Sequence, residues 1–387
     1  MSESPILLTP GPLTTAPGTR QAMLRDWGSR DPAFIALTAE LRQRLLAVAG
    51  GEESHVAVPL QGSGTFIVEA AIATLVGPGD KLLVLVNGAY GERMVAIAQR
   101  MSRAVEAIRW PEERAVEPER VAEALRADRS ITHVALVHCE TTTGILNPVP
   151  EIAAVVAGEG RAFLLDAMSS FGALELDLRT TPATAVLASS NKCLEGVPGL
   201  GFALIQPAAL ERAAGNSPSL SFDLHAQWKG FEKDGQWRFT PPVQVVAALV
   251  EALRGLEAEG GPQARRRRYQ ENFDTLLAGM RRLGFELFLD EAVQAPIIAT
   301  FRMPPDGRLV FRDFYDALAD RGFLIYPGKL TQAESFRIGC IGALDRRDFE
   351  RLLEAIESTL ATSQAASSGP GFGSDLLVRP LSLESRA

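Results

Sequence analysis

Four short stretches of this 387-residue chain place chemically capable side chains where turns would expose them. Gln61-Gly62-Ser63-Gly64-Thr65 precedes an apolar, alanine-rich run, FIVEAAIATLV. A glycine-rich turn that opens a helix offers backbone N–H groups and the positive end of the helix dipole, which suits a phosphate. The stretch has neither the P-loop nor the Rossmann glycine spacing, so a nucleotide is disfavoured. Asp166 ends the run AFLLD, and ligands gather at the C-terminal edge of the sheet in open α/β folds. A carboxylate there can pair with a cationic ring nitrogen. Lys192, in Ser189-Ser190-Asn191-Lys192-Cys193, directly follows ATAVLAS. Most lysines lie on solvated faces, and one at a buried strand end can act as an amine nucleophile. Arg337 sits in Phe336-Arg337-Ile338-Gly339, where a guanidinium fork on a rigid strand can grip a carboxylate or phosphonate.

Singly, each stretch has a plainer reading: a helix start with flexible glycines, a loop-turn carboxylate, a solvated loop lysine, a surface ion pair. Lys329 in YPGK reads best as a solvated turn lysine. Together the four describe a site for pyridoxal 5'-phosphate, with a phosphate cradle, a ring-nitrogen partner, an amine and an anion grip.

The elements that must position these residues are legible as alternating periods. Lys81 to Val86, Val105 to Trp110, Thr132 to His138, Ala162 to Asp166, Thr184 to Ser189 and Phe202 to Ile205 read as buried strands. Helical stretches at Tyr90 to Met101, Glu117 to Ala127 and Glu151 to Ala157 interleave with the first of them. This alternation predicts an α/β fold with a largely parallel sheet covered by helices on both faces. A long helix after Pro241 and Pro242 ends near Glu259, and Gly260-Gly261-Pro262 marks the expected domain boundary. Beyond it, helices at Gln263 to Leu283, Arg312 to Arg321 and Asp345 to Leu360 alternate with strands at Ile297, Phe323 and Ser335, as in a smaller α+β domain. The expected division is an N-terminal segment 1–15, a large domain 16–259, a small domain 260–362 and a disordered tail 363–387.

Composition narrows the function. Hydrophobic residues at 46% and charged residues at 22% supply ample core, which excludes wholesale disorder. A net charge of -8 gives no diffuse positive field for nucleic acid. Three dispersed cysteines exclude a disulfide scaffold, no Cys-x-x-Cys pair suggests a structural metal, and no signal or membrane-spanning run appears, so a cytoplasmic protein is expected.

The motifs LLTPGPLTT (7–15), LQGSGTFIVEA (60–70), NGAYGERM (87–94), HCETTTGILNP (138–148), LDAMSSFG (165–172), SSNKCLEGVPG (189–199), WRFTPP (237–242) and FRIGCIG (336–342) occur in this order. In them the chain resembles the class V aminotransferases of fold type I, and within that group the 2-aminoethylphosphonate–pyruvate transaminase family, over roughly residues 5 to 361. The resemblance implies that Lys192 bonds covalently to pyridoxal 5'-phosphate and that Asp166 holds its ring-nitrogen proton. It implies phosphate binding by Ser63, Gly64, Thr65 and Asn191, with Thr240 contributed across a homodimer interface. Tyr90 would stack on the ring and Thr141 would bond the cofactor's phenolic oxygen. Arg337 would grip the anionic end of the substrate, and Gly11, Pro12 and Thr14 would line the substrate pocket.

The implied substrates are 2-aminoethylphosphonate and pyruvate, with no metal. Alanine–glyoxylate or serine–pyruvate transamination would use the same cofactor residues. A cysteine desulfurase would need a reactive loop cysteine, whereas Cys193 and Cys340 read as packing residues. A silent cofactor-binding protein would be free to lose Lys192 or Asp166, and both are present.

Overall fold

The computed structural model describes residues 4–305, 309–328 and 334–367. Its largest feature is a seven-stranded sheet. The strands are β1 (Val56–Gln61), β2 (Lys81–Val86), β3 (Ala104–Arg109), β4 (His133–Val137), β5 (Ala162–Asp166), β6 (Ala185–Ser189) and β7 (Leu200–Ile205), in the spatial order β1-β7-β6-β5-β4-β2-β3. Pairings from β3 through β6 are parallel, and β7 runs antiparallel to both of its neighbours. Both faces are buried, which explains the continuous aliphatic runs. In β2, Leu83 and Leu85 face one core with Phe163 and Phe202, while Leu82, Val84 and Val86 face the other with Ile67 and Val58.

The sequence reading did not anticipate β1, because Pro59 interrupts its pattern. A proline cannot donate to a ladder and is tolerated at a sheet edge, which is where β1 lies. The sequence places strand β7 at Phe202 to Ile205 but not its antiparallel direction, since a buried strand has the same composition in either direction.

Helix α1 (Gly64–Leu75) buries Ala70, Ala71 and Ala73. Its approach to the sheet depends on Gly201 of β7, where an added Cβ would lie 2.8 Å from the Ile67 Cβ. Helix α2 (Ala89–Arg100) follows β2 directly, with Met94, Val95, Ile97 and Ala98 inward. Helix α3 (Val243–Glu259) meets α4 (Gly261–Arg282) at Gly260, whose φ of 107° lies in the left-handed region that glycine adopts without strain.

Past α4, a three-stranded antiparallel sheet sets β8 (Ile298–Arg302) and β9 (Tyr326–Pro327) on either side of β10 (Ser335–Gly339). Phe285, Phe301, Phe314, Phe336 and Phe349 form a separate core beneath it. The N-terminal segment belongs to this region. Ile6 and Leu7 pair in parallel with Phe323 and Leu324, and Leu8 accepts the Gly339 N–H at 2.9 Å. Helix α5 (Arg346–Ser367) extends past residue 362, into the segment expected to be a tail. Lys329 and the chain after Ser367 lie outside the described residues. Among the described residues no helix is long and apolar enough to cross a membrane, and no cluster of acidic, His or Cys side chains could hold a metal.

Candidate active site

Because β1, β2, β4, β5 and β6 all point the same way, their C-terminal ends converge on one edge. Asp166 is the last residue of β5, Ser189 ends β6 just before Asn191 and Lys192, α1 opens after β1, and α2 opens after β2. At this edge lies a cavity of about 190 Å³ lined by Ser63, Gly64, Thr65, Tyr90, Arg93, Thr141, Asp166, Ser169, Asn191 and Lys192, with apolar contacts from Val68, Val137 and Met168. Expected residues from five separate stretches, at 63–65, 90, 141, 166 and 191–192, thus meet in one place.

Lys192 Nζ donates to the Pro10 carbonyl at 2.8 Å and toward the Gly11 carbonyl at 3.4 Å. Gly11 has to be a glycine. Its φ is +115°, and a Cβ would lie 2.6 Å from Lys192 Cδ. Asp166 Oδ1 accepts the Met168 N–H at 2.8 Å. Burial pushes its carboxyl up to about 6, against the Met168 N–H and the charges of Arg93 and Lys192, which favour the carboxylate. A buried acid that is costly to ionise is ready to gain from a cation placed beside it. Next to it, burial lowers His138 to about 4, so the ring is neutral at pH 7, with Nδ1 2.9 Å from Ser170 Oγ.

Tyr90 and Thr141 share a hydrogen bond, Thr141 Oγ1 to the Tyr90 hydroxyl, at 3.4 Å. Beneath them lies Glu140, which the sequence reading passed over. Its carboxylate accepts the Tyr90 N–H at 3.0 Å and the Thr142 hydroxyl at 3.1 Å, at the N-terminal turn of α2. Burial raises it to about 7, with Asp166 adding to the rise. Glu140 fits only because residue 88 is glycine, since a Cβ there would be 2.1 Å from Glu140 Cγ. Gly88→Ala should therefore cost about 1–3 kcal/mol by overpacking, read as a lowered midpoint in denaturant; an unchanged midpoint would mean that Glu140 has a second seat.

The lysine loop is clamped from behind by residues the sequence did not flag. Glu195, at φ 60°, accepts the Tyr269 hydroxyl at 2.6 Å and Arg268 at 2.7 Å, and lies 3.6 Å from Arg265. Arg265 also donates to the Cys193 carbonyl at 2.7 Å, and Arg268 to the carbonyls of Gly342 and Leu344. The loop bearing Lys192 is thereby tied to α4 and to the turn after β10. Cys193 Sγ faces the Ser169 carbonyl at 3.0 Å, and burial pushes its thiol up to about 12. Cys139 and Cys340 are also buried and raised, so none of the three resembles a reactive thiol.

Five expected residues do not line the cavity. Arg337 is 1% exposed on β10, and its guanidinium donates to the carbonyls of Thr141 at 2.9 Å and Pro327 at 3.1 Å. Pairing with backbone and burial under Tyr326 hold it behind Thr141 rather than in the open. Thr14 accepts the Leu7 N–H through its hydroxyl and the Ala343 N–H through its carbonyl, and the Pro12 carbonyl accepts the Thr9 hydroxyl. These bonds shape the N-terminal loop, which meets the cavity through the contact of Pro10 and Gly11 with Lys192. Thr240 is on the surface of the chain, beside Phe239, which is 51% exposed. Arg93, by contrast, lines the cavity and was passed over inside NGAYGERM; its helical spacing from Tyr90 was the available signal.

The model for aminotransferase class V matches residues 22–329. A curated relative from Pseudomonas fluorescens, named 2-aminoethylphosphonate–pyruvate transaminase, is 56% identical over 356 residues, covering 92% of this chain and 96% of its own. Among solved structures, alanine–glyoxylate aminotransferase from Nostoc sp. superposes with a TM-score of 0.87 at 28% identity, covering 93% of this chain and 96% of that one. Pyridoxamine–pyruvate aminotransferase from Mesorhizobium loti gives 0.86 at 26% identity, covering 93% of each. The chain belongs to the class V aminotransferases, pyridoxal 5'-phosphate enzymes of fold type I, and within them to the family of the 2-aminoethylphosphonate–pyruvate transaminases.

Proposed function

We propose that the protein transfers the amino group of 2-aminoethylphosphonate to pyruvate, giving phosphonoacetaldehyde and L-alanine. The observation that carries this reading is the convergence of Lys192, Asp166, Tyr90 and the 63–65 turn on one cavity, in a chain 56% identical to a transaminase of that name. The cavity suits pyridoxal 5'-phosphate. Ser189 Oγ is buried there with no partner among the described residues, and a Cβ on Gly64 would lie 2.5 Å from Met168 Sδ, so any larger residue would displace the Met168 side chain that lines the cavity.

When bound, the cofactor supplies an electron sink that acidifies the C–H bond next to the amine. The chain's residues bind, orient and move protons. Ser63, Gly64, Thr65 and Asn191 hold the phosphate, the α1 N-terminus adding its dipole. Tyr90 would cover one face of the ring, and Thr141 would bond its phenolic oxygen. Asp166 keeps the ring nitrogen protonated, and that cation in turn returns the buried carboxylate to its charged form. Lys192 would anchor the cofactor, and its Nζ would carry the proton from and to the reacting carbon. Arg337, held behind Thr141 by the bond to its carbonyl, would grip the phosphonate or carboxylate only by exchanging that bond for the substrate.

We also propose a cytoplasmic homodimer in which Thr240 completes the phosphate site of the neighbouring subunit. Phe66, next to Thr65, and Phe239, next to Thr240, are 46% and 51% exposed, and apolar side chains beside both halves of a shared site favour association.

Single-turnover mixing with 2-aminoethylphosphonate, L-alanine, L-serine and L-cysteine tests the reading by following loss of the bound cofactor's visible band. The phosphonate should outpace serine by at least about tenfold, the scale of discrimination that a few pocket contacts provide. Faster loss with serine would reassign the substrate while leaving the cofactor chemistry intact.

A further inference from the structure

We propose that Arg93 is a phosphate-binding residue of this site, supplying the fixed positive charge that the cradle of Ser63, Gly64 and Thr65 lacks. The inference rests on the cofactor reading. A phosphate dianion brings two negative charges to a cavity that already contains Asp166. A helix N-terminus offsets about half a charge, and hydroxyls offset none. Among the described residues lining the cavity, the cations are Arg93 and Lys192. Lys192 spends its amine on bonding the cofactor, which leaves Arg93 as the permanent counter-charge.

Its position fits that task. Arg93 lies on the first turns of α2, three residues after Tyr90, and its guanidinium carbon is 4.9 Å from the centroid of the Tyr90 ring. Nη1 donates to Thr65 Oγ1 at 3.0 Å, so the guanidinium already touches the phosphate turn. Accepting from Arg93 also orients the threonine hydroxyl, whose own hydrogen is then available to an acceptor in the cavity. A guanidinium presents five donors in a planar fork, so the bond to Thr65 leaves others for phosphate oxygens. Arg337, with Nε and Nη1 committed to backbone carbonyls, is placed behind the cavity wall and cannot take this part.

The test uses cofactor-stripped protein and two probes, pyridoxal 5'-phosphate and pyridoxal, which differ only in the phosphate. Dissociation constants are measured by absorbance for wild type, Arg93→Ala and Arg93→Lys. For pyridoxal 5'-phosphate, Arg93→Ala should raise the constant by about tenfold to a hundredfold, the range for a charged hydrogen bond, and Arg93→Lys by less. Pyridoxal should bind all three proteins alike. Equal weakening of both probes would overturn the proposal, because Arg93 would then act by bracing Tyr90. An unchanged constant for pyridoxal 5'-phosphate with a raised KM for 2-aminoethylphosphonate would also overturn it, assigning Arg93 to the substrate. If wild type itself binds neither probe, the cofactor reading fails instead, so the two failures are distinct.

Discussion

Lys192→Ala should lower kcat/KM by at least about 10⁴-fold, because on the proposed reading it removes both the cofactor anchor and the proton-moving base in one substitution. The visible band of the bound cofactor should disappear with it. Folding should survive. Lys192 is only partly buried, and its Nζ donates to two loop carbonyls, those of Pro10 and Gly11. Thermal melts of wild type and variant without cofactor should therefore lie within a few degrees, so lost activity can be separated from lost structure. Turnover above about one per cent of wild type would mean that another amine carries the reaction, and the assignment of Lys192 would fall.

Asp166→Asn should show two effects of opposite sign. Turnover should fall by about 10²–10³-fold, as expected when a charge aimed at the reacting system is neutralised. Stability of the cofactor-free protein should rise. The folded carboxyl ionises at about 6, above its ordinary value of 3.8, so the folded state binds more protons than the unfolded state between those limits. Stability is therefore lost as pH rises from about 4 to 6, and the full cost, about 3 kcal/mol, is in force above that window. Asparagine keeps an acceptor for the Met168 N–H without the charge, so the gain should appear at pH 7.5 and vanish near pH 4. Denaturant melts of both proteins at the two pH values measure it. Equal stability at pH 7.5 would show that burial of Asp166 is not costly, and the account of its charge by the ring nitrogen would lose its basis.

Much of the scaffold was legible because parallel strands buried on both faces leave unbroken aliphatic runs: KLLVLV and AFLLD are strands to within a residue of their reading. The same logic located Asp166 and Lys192, since both sit where such a run stops. What stayed hidden depends on contacts between distant residues. Glu140 supports Tyr90 across fifty positions and only because Gly88 has no side chain. Glu195 steadies the lysine loop through Tyr269 and Arg268, and nothing in CLEGVPG announces those partners. Arg337 was recognisable as a strand-borne arginine, yet its enclosure by the carbonyls of Thr141 and Pro327 is a fact of packing.

The pairing of Ile6 and Leu7 with Phe323 and Leu324 has a consequence for the order in which the molecule is made. Strands β1 to β7 emerge from the ribosome together and can assemble while synthesis continues. The loop that meets Lys192 is translated before these strands, but its anchors at Gly322, Gly339 and Ala343 are translated after them. One wall of the active site must therefore wait, unattached, for almost the whole protein to be completed. Closing contacts of such large sequence separation carries a loop-closure cost, so this wall of the site is completed only by pairings that span almost the whole described chain.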